Sequence, residues 1–215
     1  MPGAVVVCSW NVSDKDIDST SSTPLQRYIA ALPKGLHSYP GHTIKAAFTR
    51  ALLDEIPETP RGLPGAVGSL VDNPPVISAW VPEVHHQALL LGVAEQVFDG
   101  DARAFLDAML RIQRRLLARK IYAPLLQFVD PARLLKHATR RWTNFHRGTG
   151  LHAENLANNE TRILLSHPPG IFSSMGREAL AGGFRAAMEA GDADKVEVVL
   201  IEAGDERTEF RGRWS

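Results

Sequence analysis

Apolar residues along this chain keep two different rhythms, and the change falls near residue 150. From 151 onward they alternate with polar ones, or lie in short β-branched runs. Residues 151–157 and 160–166 read as strands parted by Asn158 and Asn159, and 174–190 as a helix. Residues 195–202, a turn at 203–205, and 206–214 complete a ββαββ block. In the last strand Thr208, Phe210, Gly212 and Trp214 share one predicted packed face, with Glu209, Arg211 and Arg213 on the wet one. Gly182 and Gly183 sit inside the helix, where each costs about 1 kcal/mol relative to Ala. Close helix–sheet contact is the expected compensation. Trp142 and Trp214 are expected to be buried, with Phe184 against Trp214.

Before residue 150 the spacing is helical. Pro24 opens a helix to Leu32. Ile44, Ala47, Phe48, Ala51 and Leu52 predict a second helix over 43–56, stopped by Pro57. Residues 57–75 hold five prolines and three glycines and read as a connection. A helix over 82–98 follows. Asp101 caps another that buries Ala104, Phe105, Ala108, Met109, Ile112, Leu116 and Leu117. Asp130 caps a last one, with Pro131 at its first position, running past Trp142 to near Gly148. Residues 1–23 form an arm: 4–10 is apolar enough for a short strand, and 11–23 is a polar loop. The strand is expected to pair within its own chain, exchange into a homodimer being the alternative. The expected fold class is α+β: a helical N-terminal layer packed on a C-terminal antiparallel sheet. It forms a single domain over 24–215.

Composition narrows the function classes. At 215 residues the chain can bury roughly 70% of its unfolded surface. Lys+Arg and Asp+Glu balance at 24 each, which gives no basic footprint for nucleic acid. The single cysteine, Cys8, leaves no intrachain disulfide. With no basic leader, and no apolar run approaching about 18 residues, a cytoplasmic location and no membrane partner are expected.

Two motifs carry a resemblance. Asp130–Trp142 has the form Asp-Pro-x-x-Leu-Leu-x-x-x-x-x-x-Trp, and the chain ends in Arg211-x-Arg213-Trp214. With a helical first part and the ββαββ block, residues 43–215 resemble a myxobacterial paralogous family of unknown function, about 200 residues long. That family is similar in turn to the haem–nitric-oxide-binding, 4-vinyl-reductase-like and transport-particle-subunit superfamily. The resemblance implies an α+β fold holding a small ligand, a lipid or a protein partner, and no particular activity. For haem-binding members it implies an axial His on a helix and a Tyr-x-Ser-x-Arg motif for the propionates. In 164–168 of this chain only Ser166 matches, and Tyr and Arg are absent. A four-cysteine metal cluster is impossible with Cys8 alone.

No catalytic or metal motif stands out. His85 and His86 point about 100° apart on a helix and cannot chelate one ion from one face. His137 and His146 are separated by a helical rise of about 13 Å. His137, His146 and His152 are nonetheless the haem candidates. Ser173 and Ser174 lack a nucleophile elbow. Asp14, Asp16 and Asp18 lack the glycine and glutamate of a calcium loop. Residues 62–68 lack the Lys-Ser or Lys-Thr of a phosphate loop.

Two basic stripes remain, Arg111, Arg114, Arg115, Arg119 and Lys120, then Lys136, Arg140, Arg141 and Arg147. Arginine beside aromatics is what interfaces favour. Arg115, Arg119, Arg140 and Arg141, with Tyr122, Phe128 and Trp142, are therefore expected to border a ligand or partner surface. The reading that follows is a non-catalytic binding protein with no cofactor and no metal. It would hold a peptide, a protein segment or a small hydrophobic ligand, as an accessory or in signalling, and be a monomer or homodimer. A haem or gas sensor is the alternative, and an enzyme without a recognisable motif the lesser one.

Overall fold

The computed structural model describes residues 22–119, 138–156, 159–191 and 193–215. The arm strand, Cys8, the Asp130 cap, Tyr122, Phe128 and His137 therefore lie outside the described residues.

Helix α1 (Pro24–Ala31) starts as its sequence dictates: Thr23 Oγ1 accepts from the Gln26 amide, and Gln26 Oε1 from the Thr23 amide. Then come β1 (Thr43–Lys45), α2 (Ala46–Glu55), α3 (Gly65–Asp72), β2 (Trp80–Pro82), α4 (Glu83–Gln96) and α5 (Ala102–Leu117). The Asp101 carboxylate caps α5 at 3.0 Å from the Ala104 amide, as expected. Beyond residue 137 lie α6 (Ala138–Trp142), β3 (His146–Arg147), β4 (Gly150–Leu156), β5 (Glu160–Ser166), α7 (Ser174–Glu189), β6 (Glu197–Ala203) and β7 (Arg207–Arg213).

The α+β reading and the ββαββ block hold, in a four-stranded antiparallel sheet of order β4-β5-β7-β6. Its inward face is made by facing pairs, Ile163 with Phe210 and Leu165 with Thr208, all buried.

Three corrections concern the helical half. Residues 43–45 are a strand, because β-branched Thr43 and Ile44 pair with β2 on one side and β3 on the other. The Pro-Gly-rich connection contains α3, whose Val67 is fully buried. The helix through Trp142 stops there rather than near Gly148, since the chain must turn into β3.

Three more concern side chains. Glu209 is buried: it sits between Arg162 at 2.8 Å and Arg211 at 3.5 Å, and these cations cover the outer sheet face. Trp142 is buried, but Trp214 is only half-buried, over Met188 and Val196. Phe184 meets Phe210 and Trp142 instead, at ring distances of 5.1 and 6.0 Å. The glycine pair answers to a helix, not to the sheet. A Cβ at Gly182 or Gly183 would press on the Gln113 amide of α5, at 3.2 and 3.4 Å. Gln113 Nε2 donates to the Ala179 carbonyl across that contact, and Arg114 clamps Glu189 through two bonds at 2.6 and 2.7 Å.

Candidate functional site

Helix α4 is apolar on nearly every side and buried almost throughout, as an all-round hydrophobic helix must be. Its polar residues Glu83, His86 and Gln87 stand out for that reason, at i, i+3 and i+4 on one face.

Glu83 lies in the first turn, where the helix dipole favours a carboxylate. It is 1% exposed and accepts from His146 Nδ1 at 3.2 Å and from Gln87 Nε2 at 3.1 Å. Burial pushes the Glu83 carboxyl up. The hydrogen bond and charge of His146, the charge of His86, and the Gln87 amide outweigh that and hold it below the usual carboxylate range.

The Gln87 carbonyl accepts from the Ser173 amide at 3.3 Å and its hydroxyl at 3.0 Å, and the Ser173 oxygen caps α7 at the Gly176 amide, 2.9 Å away. A buried polar chain therefore runs from β3 through α4 to the start of α7. Gly176 is required there, because a Cβ would overlap the Gln87 amide.

His146 is stacked on Trp142, ring centroids 3.8 Å apart and 5° from parallel, and Trp142 Nε1 donates to Thr149 Oγ1 at 3.0 Å. His86 is 4% exposed with Nδ1 at 3.1 Å from Thr49 Oγ1. Burial pushes the His86 imidazole down to about 4, Glu83 pulling the other way and His146 adding to the fall.

Glu83, His86, Gln87, Trp142 and His146 edge a cavity of ≈ 150 Å³ between the helical layer and the four-stranded sheet. Its walls are mainly apolar: Phe48 of α2, Leu90 of α4, Met109 and Leu117 of α5, Ile163 of β5, and Leu180, Phe184 and Met188 of α7. Arg141 and Trp142 of α6 close another side, with Phe145 and His146 after them. The site can enclose a small apolar body beside an imidazole and a guanidinium. Among the described residues no three His, Cys, Asp or Glu side chains gather for a metal ion, and no helix is long and apolar enough to cross a membrane.

Of the residues expected to border a site, the structure brings Arg141 and Trp142 to this cavity. Arg140, one position earlier, is exposed. Arg115 is 64% exposed and paired with Glu55, and Arg119 is exposed at the end of the same helix. Tyr122 and Phe128 lie outside the described residues. Of the histidines, His85 donates from Nε2 to the Leu36 carbonyl, 3.0 Å away, and His152 is exposed on β4. Sequence reasoning missed Glu83, Gln87 and Gln113. The available signal was a polar i, i+4 pair on a helix with no polar face.

The buried imidazoles set a pH dependence. The folded protein keeps His86 neutral down to about pH 4, whereas the unfolded chain protonates it near 6.5. Between those values the unfolded state binds more protons, so stability falls as pH falls. His85 and His167, also lowered by burial, act in the same direction. The His86 share reaches roughly 3 kcal/mol, the equivalent of a fall from 6.5 to about 4. Urea unfolding at stepped pH should show this loss, and His86→Leu should flatten it. An unchanged slope in that variant contradicts the assignment.

No family model matches the chain, and no curated protein matches it. Among solved structures the chain is similar to H-NOX proteins. One is a Cs H-NOX mutant with 4-cyano-L-phenylalanine, at 13% identity and TM-score 0.53, over 80% of this chain and 97% of that one. Another is a mutant of the Fe(II) unliganded H-NOX protein from K. algicida, at 14% identity and TM-score 0.52, over 80% and 97%. A third is an oxygen-binding H-NOX domain related to soluble guanylate cyclases, at 11% identity and TM-score 0.52, over 79% and 92%. The fold is H-NOX-like, the α+β arrangement that the resemblance implies.

Proposed function

We propose that this chain is a non-catalytic, ligand-responsive binding domain whose apolar cavity takes a small apolar molecule. The observation that carries the reading is the cavity itself, walled by both halves of the fold and bordered by the polar residues His146, Glu83 and Gln87. A ligand there touches α4, α5, α6 and α7 together, as a sensor's ligand must. The volume favours a small molecule over a peptide, since an apolar cavity of about 150 Å³ matches benzene. Membership of the myxobacterial family that residues 130–142 and 211–214 resemble is part of the same proposal.

A haem or gas sensor is the second reading, and the H-NOX neighbours favour it. Haem does not fit the cavity as the described residues form it. Even drug-sized ligands occupy about 300–1,000 Å³, well above the ≈ 150 Å³ present. The propionate motif is also reduced to Ser166.

Differential scanning fluorimetry with benzene, toluene and indole tests the first reading. A rise in melting temperature with each is expected. Ala153→Trp, at the cavity wall, should abolish it while leaving the unliganded melting temperature within a few degrees. No rise with any probe overturns the reading. Titration with hemin tests the second: a sharp Soret band lost on His137→Ala, His146→Ala or His152→Ala would replace the first reading with a haem sensor.

A further inference from the structure

We infer that the cavity's ligand carries a carboxylate, seated on Arg141. The inference rests on the cavity reading above and names its ligand class. Besides the imidazoles, two of the lining residues carry full charges, Glu83 and Arg141. Glu83 is already matched, by His146 at 3.2 Å and the Gln87 amide at 3.1 Å.

Arg141 is not matched among the described residues. Its Nη1 is buried with no hydrogen-bond partner there, and its side chain makes no ion pair with them. A buried donor left unmade is costly, and buried polar groups in folded proteins are nearly always satisfied. The neighbouring Arg140 reaches solvent freely, so the placement of Arg141 is set by helix geometry rather than by a general basic face.

A guanidinium offers a planar fork of donors that fits a carboxylate with two parallel bonds. The rest of the wall offers Leu90, Met109, Ile163, Leu180 and Phe184, which suit an apolar body. A cavity of ≈ 150 Å³ holds about one benzene ring. Together these define a small apolar monocarboxylic acid, aromatic or short-chain aliphatic, with its head at Arg141 and its body toward Phe184. Glu83 and the imidazole stack on Trp142 then stay as they are.

Isothermal titration of the full chain at neutral pH tests this with three probes of one shape: benzoate, benzyl alcohol and benzylammonium. Benzoate is expected to bind about tenfold or more tighter than the alcohol, as a charge-assisted pair allows, and benzylammonium weakest. Arg141→Met should bring benzoate down to the alcohol's affinity and leave the alcohol unchanged. Arg141→Gln serves if the Met variant folds poorly, with the same expectation. If benzoate binds no better than benzyl alcohol to the unaltered protein, the carboxylate assignment falls and the cavity reading stands. A benzoate preference that survives both variants also overturns it. If no probe binds, the cavity reading itself has failed.

Discussion

Replacing His146 by Leu is expected to lower the unfolding free energy by about 3–5 kcal/mol, the range for leaving a buried charge without its partner. The cost arises because the Glu83 carboxylate stays behind. It is 1% exposed, and among the described residues only the Gln87 amide would still donate to it. Loss of the parallel stack on Trp142 at 3.8 Å adds to the effect. Much of the loss should be recovered in the double variant His146→Leu/Glu83→Gln, where no charge is stranded. A double-mutant cycle from urea unfolding reads this coupling. A single-variant cost under about 1 kcal/mol, or no recovery in the double variant, would show that no charge is stranded at Glu83.

Phe210→Ala should cost a similar amount, about 3–5 kcal/mol, by emptying the middle of the sheet's inner face. Phe210 is fully buried in β7, opposite Ile163 of β5 and Leu200 of β6, and meets the Phe184 ring edge-on at 5.1 Å. The hole would open beside the ligand cavity, since Ile163 and Phe184 line both. Small apolar probes should therefore bind the variant at least as well as the parent. Arg213→Ala, exposed at the end of the same strand, should stay within about 0.5 kcal/mol. A Phe210 variant as stable as that control would mean that this face is not the core.

Much of the site was within reach of the sequence as residue types but not as an arrangement. Arg140 and Arg141 are indistinguishable in a linear reading. One step on a helix turns a side chain by about 100°, and only the placement of α6 against β4 decides which faces the cavity. Glu83 and His146 are 63 residues apart, and no local pattern joins them. They meet because β1 pairs with both β2, which leads into Glu83, and β3, which begins with His146. Strands of three, three and two residues are too short for a period to show.

By itself the sequence determined the ββαββ block, the long helices α4 and α5, the start of α1 at Pro24 and the cap at Asp101. Each rests on contacts within a few residues, where side-chain period and hydrogen-bond chemistry act directly. The tertiary structure alone decided the small sheet, the helix at Gly65–Asp72, the burial of Glu209, and the partner of the Gly182–Gly183 pair. These depend on which surfaces meet across the chain. Desolvation and packing at such meetings outweigh local preference: Gly182 and Gly183 give up helix propensity so that the Gln113 amide of α5 can lie against α7.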